Sequence, residues 1–162
     1  MAAPKPRRVR RDVSRSAARL GAVQALYQMD IAGTDLADVL AEFGSVRLGE
    51  IFENGECGEA DFAFLKDTVE GVVRDQRLID RSIEAHLASG WTLARLDSTL
   101  RAVLRAAVYE ILFREDVPVR VTISEYIDVA HAFFSGEEPG VVNAILDALA
   151  RERRPDEFQG GG

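Results

Sequence analysis

The sequence predicts an all-α fold of about seven helices, on three observations. Apolar residues recur at steps of three and four through nearly every segment long enough to read, the period of helices with one buried face. No segment alternates apolar and polar residues as a half-exposed strand would. Glycine, proline and capping side chains punctuate the chain between the periodic stretches.

Residues 96–113, LDSTLRAVLRAAVYEILF, form the central element. Leu96, Leu100, Val103, Leu104, Ala107, Val108, Ile111 and Leu112 make an apolar face wide enough to be contacted from more than one side. Leu104 and Ile111 are expected deep in the core. Asp97 or Ser98 is placed to cap the start, and Arg101, Arg105 and Glu110 form the polar remainder.

The first helix is expected to start near Ser14 or Ser16 and to run through ARLGAVQALYQMD to Gly33. Leu20, Val23, Leu26 and Tyr27 face inward, with Tyr27 read mainly as core. Thr34 can cap a short second helix, DLADVLAEF, that buries Leu36, Val39, Leu40 and Phe43. Residues 44–58, GSVRLGEIFENGECG, read as a long loop with at most a turn around Ile51 and Phe52. From Ala60 to Leu87 the spacing is again helical, as one helix or as two with a bend near Asp75. Trp91 and Leu93 should fold back as an apolar anchor.

Pro118 interrupts the helical pattern after the central element. Thr122-Ile-Ser-Glu125 reads as a capping box that opens the next helix, which carries Tyr126, Ile127, Val129, Ala130 and Phe133. SGEEPG at 135–140 is a turn. The last helix, VVNAILDALARER, buries Val142, Ile145, Leu146 and Leu149. Residues 1–13 form a basic arm and 155–162 a polar, glycine-ended tail. Both are expected to be disordered, which leaves 14–154 as one helical domain.

Composition narrows the function classes. Apolar residues are 47% of the chain, enough to fill one interior. No run of 18 apolar residues exists, so no membrane span is expected, and the N-terminus lacks the apolar region of a secretory signal. A single cysteine, Cys57, excludes an intramolecular disulfide and suits a reducing cytoplasm. Two histidines and one cysteine, widely spaced, give no metal motif. P-loop, GxGxxG, HExxH and GxSxG patterns are absent, and His86 and His131 are expected on helix surfaces. The sequence does not argue for an enzyme.

The net charge of −7 hides an asymmetry. Residues 1–19 hold Lys5, Arg7, Arg8, Arg10, Arg11, Arg15 and Arg19 against Asp12 alone, while acidic residues outnumber basic ones two to one in the rest. A basic arm on an acidic body suits contact with nucleic acid at one end. A merely solvated arm is the alternative. Arg8, Arg11, Arg15 and Arg19 are spaced three, four and four, so they form one stripe if the helix extends backward. Arg15 and Arg19 are then expected to face the same way, exposed to solvent.

Four blocks carry a resemblance to a known family: ARLGAVQALY at 18–27, AVLRAAVYE at 102–110, DVPVRVTISEYIDVA at 116–130 and VNAILDAL at 142–149. In order and spacing they resemble the NusB family of transcription antitermination factors, over about residues 15–150. The resemblance implies seven helices in two packed helical bundles, without catalysis or cofactor. It implies binding to single-stranded boxA-type RNA of ribosomal-operon transcripts, jointly with a small ribosomal protein, NusE, on elongating RNA polymerase. Carried over, the family's basic RNA surface falls on Arg15 and Arg19, with Gln24 on the same helix and the arm arginines Arg7, Arg8, Arg10 and Arg11 before it. A second patch falls on Glu137, Val141 and Asn143. Ser16 and Ala17 interrupt the arginine cluster here, Val141 replaces a common aromatic, and Pro139–Gly140 replaces more polar residues.

Two other readings compete. An adaptor would bind a basic ribosomal protein through the acidic body without reading RNA. An RNA-binding domain related to rRNA methyltransferases would need a catalytic domain downstream, where this chain has only its tail. The sequence leaves open whether the protein is a monomer or a homodimer.

Overall fold

The computed structural model describes residues 7–44 and 59–159. Among them are seven α-helices and no strand: α1 Arg7–Ala32, α2 Leu36–Glu42, α3 Glu59–Arg74, α4 Gln76–Glu84, α5 Ser98–Phe113, α6 Val119–Phe133 and α7 Glu138–Arg153. Single 3-10 turns cover Leu93–Arg95 and Pro155–Phe158. The glycine-rich stretch at 44–58, Cys57 included, lies outside the described residues except for Gly44. No described helix is long and apolar enough to cross a membrane.

The central element is α5, which packs against α1, α3, α4, α6 and α7. Leu100, Val103, Leu104, Ala107, Val108 and Ile111 are buried as the periodicity predicts, and Ala102 and Ala106 are buried too, so α5 is enclosed nearly all round. Its small side chains let several helices approach at once. Asp97 caps it, with Oδ1 accepting from the Thr99 N–H at 2.8 Å and the Leu100 N–H at 3.2 Å. The α1–α3 bundle and the α6–α7 pair share one continuous core through α5.

The bend expected near Asp75 separates α3 from α4. Gly71 on α3 has a packing reason. A Cβ at this position would lie 2.1 Å from Cε2 of Tyr109, so only glycine admits the ring. Tyr109 stacks on Phe113 with centroids 5.4 Å apart and donates its hydroxyl hydrogen to Asp67 at 2.9 Å.

Several boundaries differ from expectation. α1 begins at Arg7, so the arm from Arg7 onward is continuous with the first helix. Nothing between Arg7 and Ser16 breaks a helix, and the Ser16 hydroxyl donates to Glu125 at 2.7 Å instead of capping. Asp35, not Thr34, caps α2 by accepting from the Asp38 N–H at 2.9 Å. α6 starts directly after Pro118, whose φ of −56° suits a helix entry. Thr122 is therefore one turn inside and fully buried, and no capping box forms. α7 begins at Glu138 with Pro139 in its first turn, which shortens the expected turn.

Two aromatic residues read as core are outside. Tyr27 is 41% exposed and Trp91 is 53% exposed, the latter with the Arg95 guanidinium 5.5 Å from its ring. Leu93 alone is the buried anchor. Pro155–Phe158 of the tail form a 3-10 turn that bonds back to the start of α6. Glu157 Oε1 accepts the Val119 N–H at 2.8 Å, Arg154 Nη2 donates to the Val117 carbonyl at 2.7 Å, and Arg154 pairs with Glu157. Pro118 offers α6 no side-chain cap, so an orphan donor in the first turn is met from the other end of the chain. Phe158 packs against the core, with the Arg151 guanidinium 4.5 Å from its ring.

Candidate nucleic-acid interface

The N-terminal half of α1 lies against α3, α5 and α6, and there the structure corrects the reading of Arg19. This side chain is 2% exposed. Nε donates to Glu110 Oε1 at 3.0 Å, and Nη1 lies 3.7 Å from Glu125 Oε2. Arg19 is an interior cation and does not present a fork to solvent. The physical reason is Glu110, which belongs to the buried face of α5 and not to its polar remainder. A buried carboxylate without a counter-charge costs several kcal/mol, about 3–5 when its partner is removed, so the nearest guanidinium is drawn inside. The sequence held a signal for this: Glu110 follows Val103 and Ala107 at steps of four and three, inside an apolar stripe.

Thr122 and Tyr126 of α6 are buried as well. Burial pushes the Tyr126 phenol well up, and the Glu110 charge adds to the shift.

Arg15, one turn before Arg19, is partly exposed. Its guanidinium lies 5.0 Å from the centroid of Phe64, a residue of α3 that is 4% exposed. Arg19 lies 5.0 Å and Arg114 4.8 Å from the same centroid. One buried ring is thus bordered by three guanidiniums. Arg114 pairs with Asp67 at 3.0 Å and with Asp116 at 2.9 Å. Its hydrogen bonds hold the Asp116 carboxyl below the ordinary range, despite a partly opposing desolvation, and Arg15 contributes to the lowering. Among the described residues Arg15 has no ion pair of its own.

Gln24 is half-buried and lines a groove of about 310 Å³ with Tyr27, Gln28, Ile31, Ala32 and Phe43. It stands nine residues from Arg15, about two and a half turns, so it faces the opposite side of α1. Tyr27 brings a phenol to this groove, which the reading of it as core did not foresee. Glu137, Val141 and Asn143 are exposed at and just inside the start of α7, which packs mainly on α6 and α5. Arg7, Arg8, Arg10 and Arg11 lie in the first turns of α1. The expected site residues therefore fall in four places: Arg7, Arg8, Arg10 and Arg11 in the first turns of α1, Arg15 and Arg19 beside Phe64, Gln24 in its groove, and Glu137, Val141 and Asn143 at the start of α7.

Among the described residues, seven helices, one of them a small-residue central helix, with a cluster of arginines at the start of the first, define an all-helical binding protein. The NusB family model matches residues 16–151. A transcription antitermination protein NusB from Rhodopseudomonas palustris is 54% identical over 158 residues, covering 98% of this chain and 94% of that protein. One from Bradyrhizobium diazoefficiens is 54% identical over 147 residues, 91% of this chain and 89% of its own. The structure of T. maritima NusB aligns with a TM-score of 0.74 at 29% identity, covering 98% of this chain and 99% of that one. A structure of antitermination factors NusB and NusE in complex with dsRNA aligns with a TM-score of 0.69 at 26% identity, over 86% and 97%. This chain belongs to the NusB family and is an antitermination factor, not an enzyme.

Proposed function

We propose that this antitermination factor binds single-stranded boxA-type RNA of ribosomal-operon transcripts together with a NusE-type ribosomal protein, in the cytoplasm, on elongating RNA polymerase. The observation that carries the reading is charge placement. The start of α1 holds Arg7, Arg8, Arg10, Arg11 and Arg15, while the remainder of the chain is strongly acidic and repels phosphate. RNA then approaches this end of the molecule. A relative solved with NusE and dsRNA supports a ribosomal-protein partner and an RNA partner.

In this reading Arg15 and the arginines before it touch RNA, and Arg19 holds the helix that bears them. Gln24, Glu137, Val141 and Asn143 are further contact positions outside that end. The acidic body is the surface for the basic ribosomal protein, and association should be fast and salt-sensitive.

Arg15→Glu tests the reading. It replaces a charge-assisted contact of about 1.5–3 kcal/mol by repulsion, so affinity for a boxA-like single strand should fall at least about tenfold. The melting temperature should barely change, because a partly exposed charge without an ion pair contributes little to stability. Unchanged affinity in a titration at moderate salt would move the site to Glu137, Val141 and Asn143. Binding of the NusE-type protein without any binding of RNA would favour the adaptor reading instead.

A further inference from the structure

We propose that Phe64 is a positioning residue that holds the Arg15 guanidinium against its ring, so that the outer side of Arg15 stacks on an unpaired RNA base. The inference rests on the RNA-binding reading and specifies the kind of contact that Arg15 makes.

Three facts point to a base and not a phosphate. First, the ring is occupied but unequally. Arg19 and Arg114 also border Phe64, yet each is tied to carboxylates, Arg19 to Glu110 and Glu125, Arg114 to Asp67 and Asp116. Arg15 alone of the three has no ion pair among the described residues, and it is partly exposed. Its ring contact at 5.0 Å orients it.

Second, the cluster does not attract anions. Around Phe64 the three guanidiniums face four carboxylates, those of Glu110, Glu125, Asp67 and Asp116. A phosphate at Arg15 would meet Asp116, whose carboxyl already feels the Arg15 charge. The π-face of a base carries no net charge and meets no such repulsion. Guanidinium planes are established stacking partners for unpaired bases. The arm arginines further out, at Arg7 to Arg11, remain the phosphate contacts.

Third, Phe64 is too deeply buried to touch a ligand, so its effect must pass through Arg15. A leucine at this place would fill much of the volume without offering a π-face.

The test measures binding of the full chain, with its NusE-type partner, to a boxA-like single strand by fluorescence anisotropy. The same strand carrying one abasic residue, placed at each position in turn, is measured in parallel. Arg15→Lys keeps the charge and loses the plane. It should weaken binding about fivefold or more, within the range of a lost base stack, while the slope of log affinity against log salt stays that of the parent. One abasic position should weaken the parent similarly and cost the Arg15→Lys protein nothing further. Phe64→Leu should behave like Arg15→Lys, and Phe64→Tyr, which restores the π-face, like the parent.

If Arg15→Lys binds as tightly as the parent, or if no abasic position is coupled to it, Arg15 acts as a simple charge and the inference is wrong while RNA binding stands. If the parent binds no RNA at all, the functional reading itself fails and the inference goes with it. Should Phe64→Leu prove unfolded by circular dichroism, Arg15→Lys with the abasic series still decides the stacking contact, and Phe64→Tyr decides the part played by the ring: weakened binding by a folded Phe64→Tyr protein would overturn it.

Discussion

Replacing Arg19 by alanine is expected to destabilise the protein by about 3–5 kcal/mol, because it leaves Glu110 buried and unpaired. The pair is 2% and 0% exposed with its closest atoms 3.0 Å apart, so water cannot take over the lost contact. Denaturant unfolding measures the loss. Combining Arg19→Met with Glu110→Leu should recover most of it, since apolar residues of similar size often replace a buried ion pair at little cost. The comparison separates the need for a counter-charge from the need for volume. A loss under about 1 kcal/mol for Arg19→Ala would mean that Glu110 does not depend on this guanidinium.

The second large effect lies on the same helix. Leu104 and Ile111 are 0% and 1% exposed, seven residues apart and so on one face of α5. Truncating either to alanine should cost about 2–5 kcal/mol through lost transfer energy and the cavity left behind. α5 touches five other helices, so the surroundings have little freedom to collapse into the space. Chemical denaturation should show an earlier midpoint at an unchanged slope for each variant. A loss under about 0.5 kcal/mol at both positions would contradict the central placement of α5.

Fold and site were unequally legible, for physical reasons. Helical period is a local property, and α5 announces itself within its own stretch from Leu100 to Ile111. The fate of Arg19 is settled by Glu110, 91 positions away. Propensity scales put both charges outside, and only their mutual neutralisation lets them be inside. Tyr27 and Trp91 fail in the reverse sense: each is apolar enough to bury, but no neighbouring element covers it, and a polar tip tolerates solvent. The capping pattern from Thr122 to Glu125 was a correct statistical signal that Pro118 overrode by starting the helix a turn earlier. At the candidate site the basic start of α1 was readable from charge alone. The contact of Arg15 with Phe64 joins two helices and left no trace in the spacing of either.

The turn at Pro155–Phe158 gives the fold a sequence in time. Val119 opens α6, yet the carboxylate that receives its N–H belongs to Glu157, 38 residues further along. During synthesis from the N-terminus, α6 is made well before its fastener. Until Glu157 emerges, the first turn of α6 holds a donor without its partner, and the helix should fray there while α5 is already packed. A chain cut after Arg154 should reproduce that unfinished state. Amide exchange at Val119 should then be fast while Leu104 stays protected, whereas equal acceleration at both would show that the turn secures the whole molecule at once. On this view the turn after α7 works as a clasp, and the growing protein passes through a stage in which α1, α3, α4 and α7 are settled around α5 and α6 is still open at its leading edge.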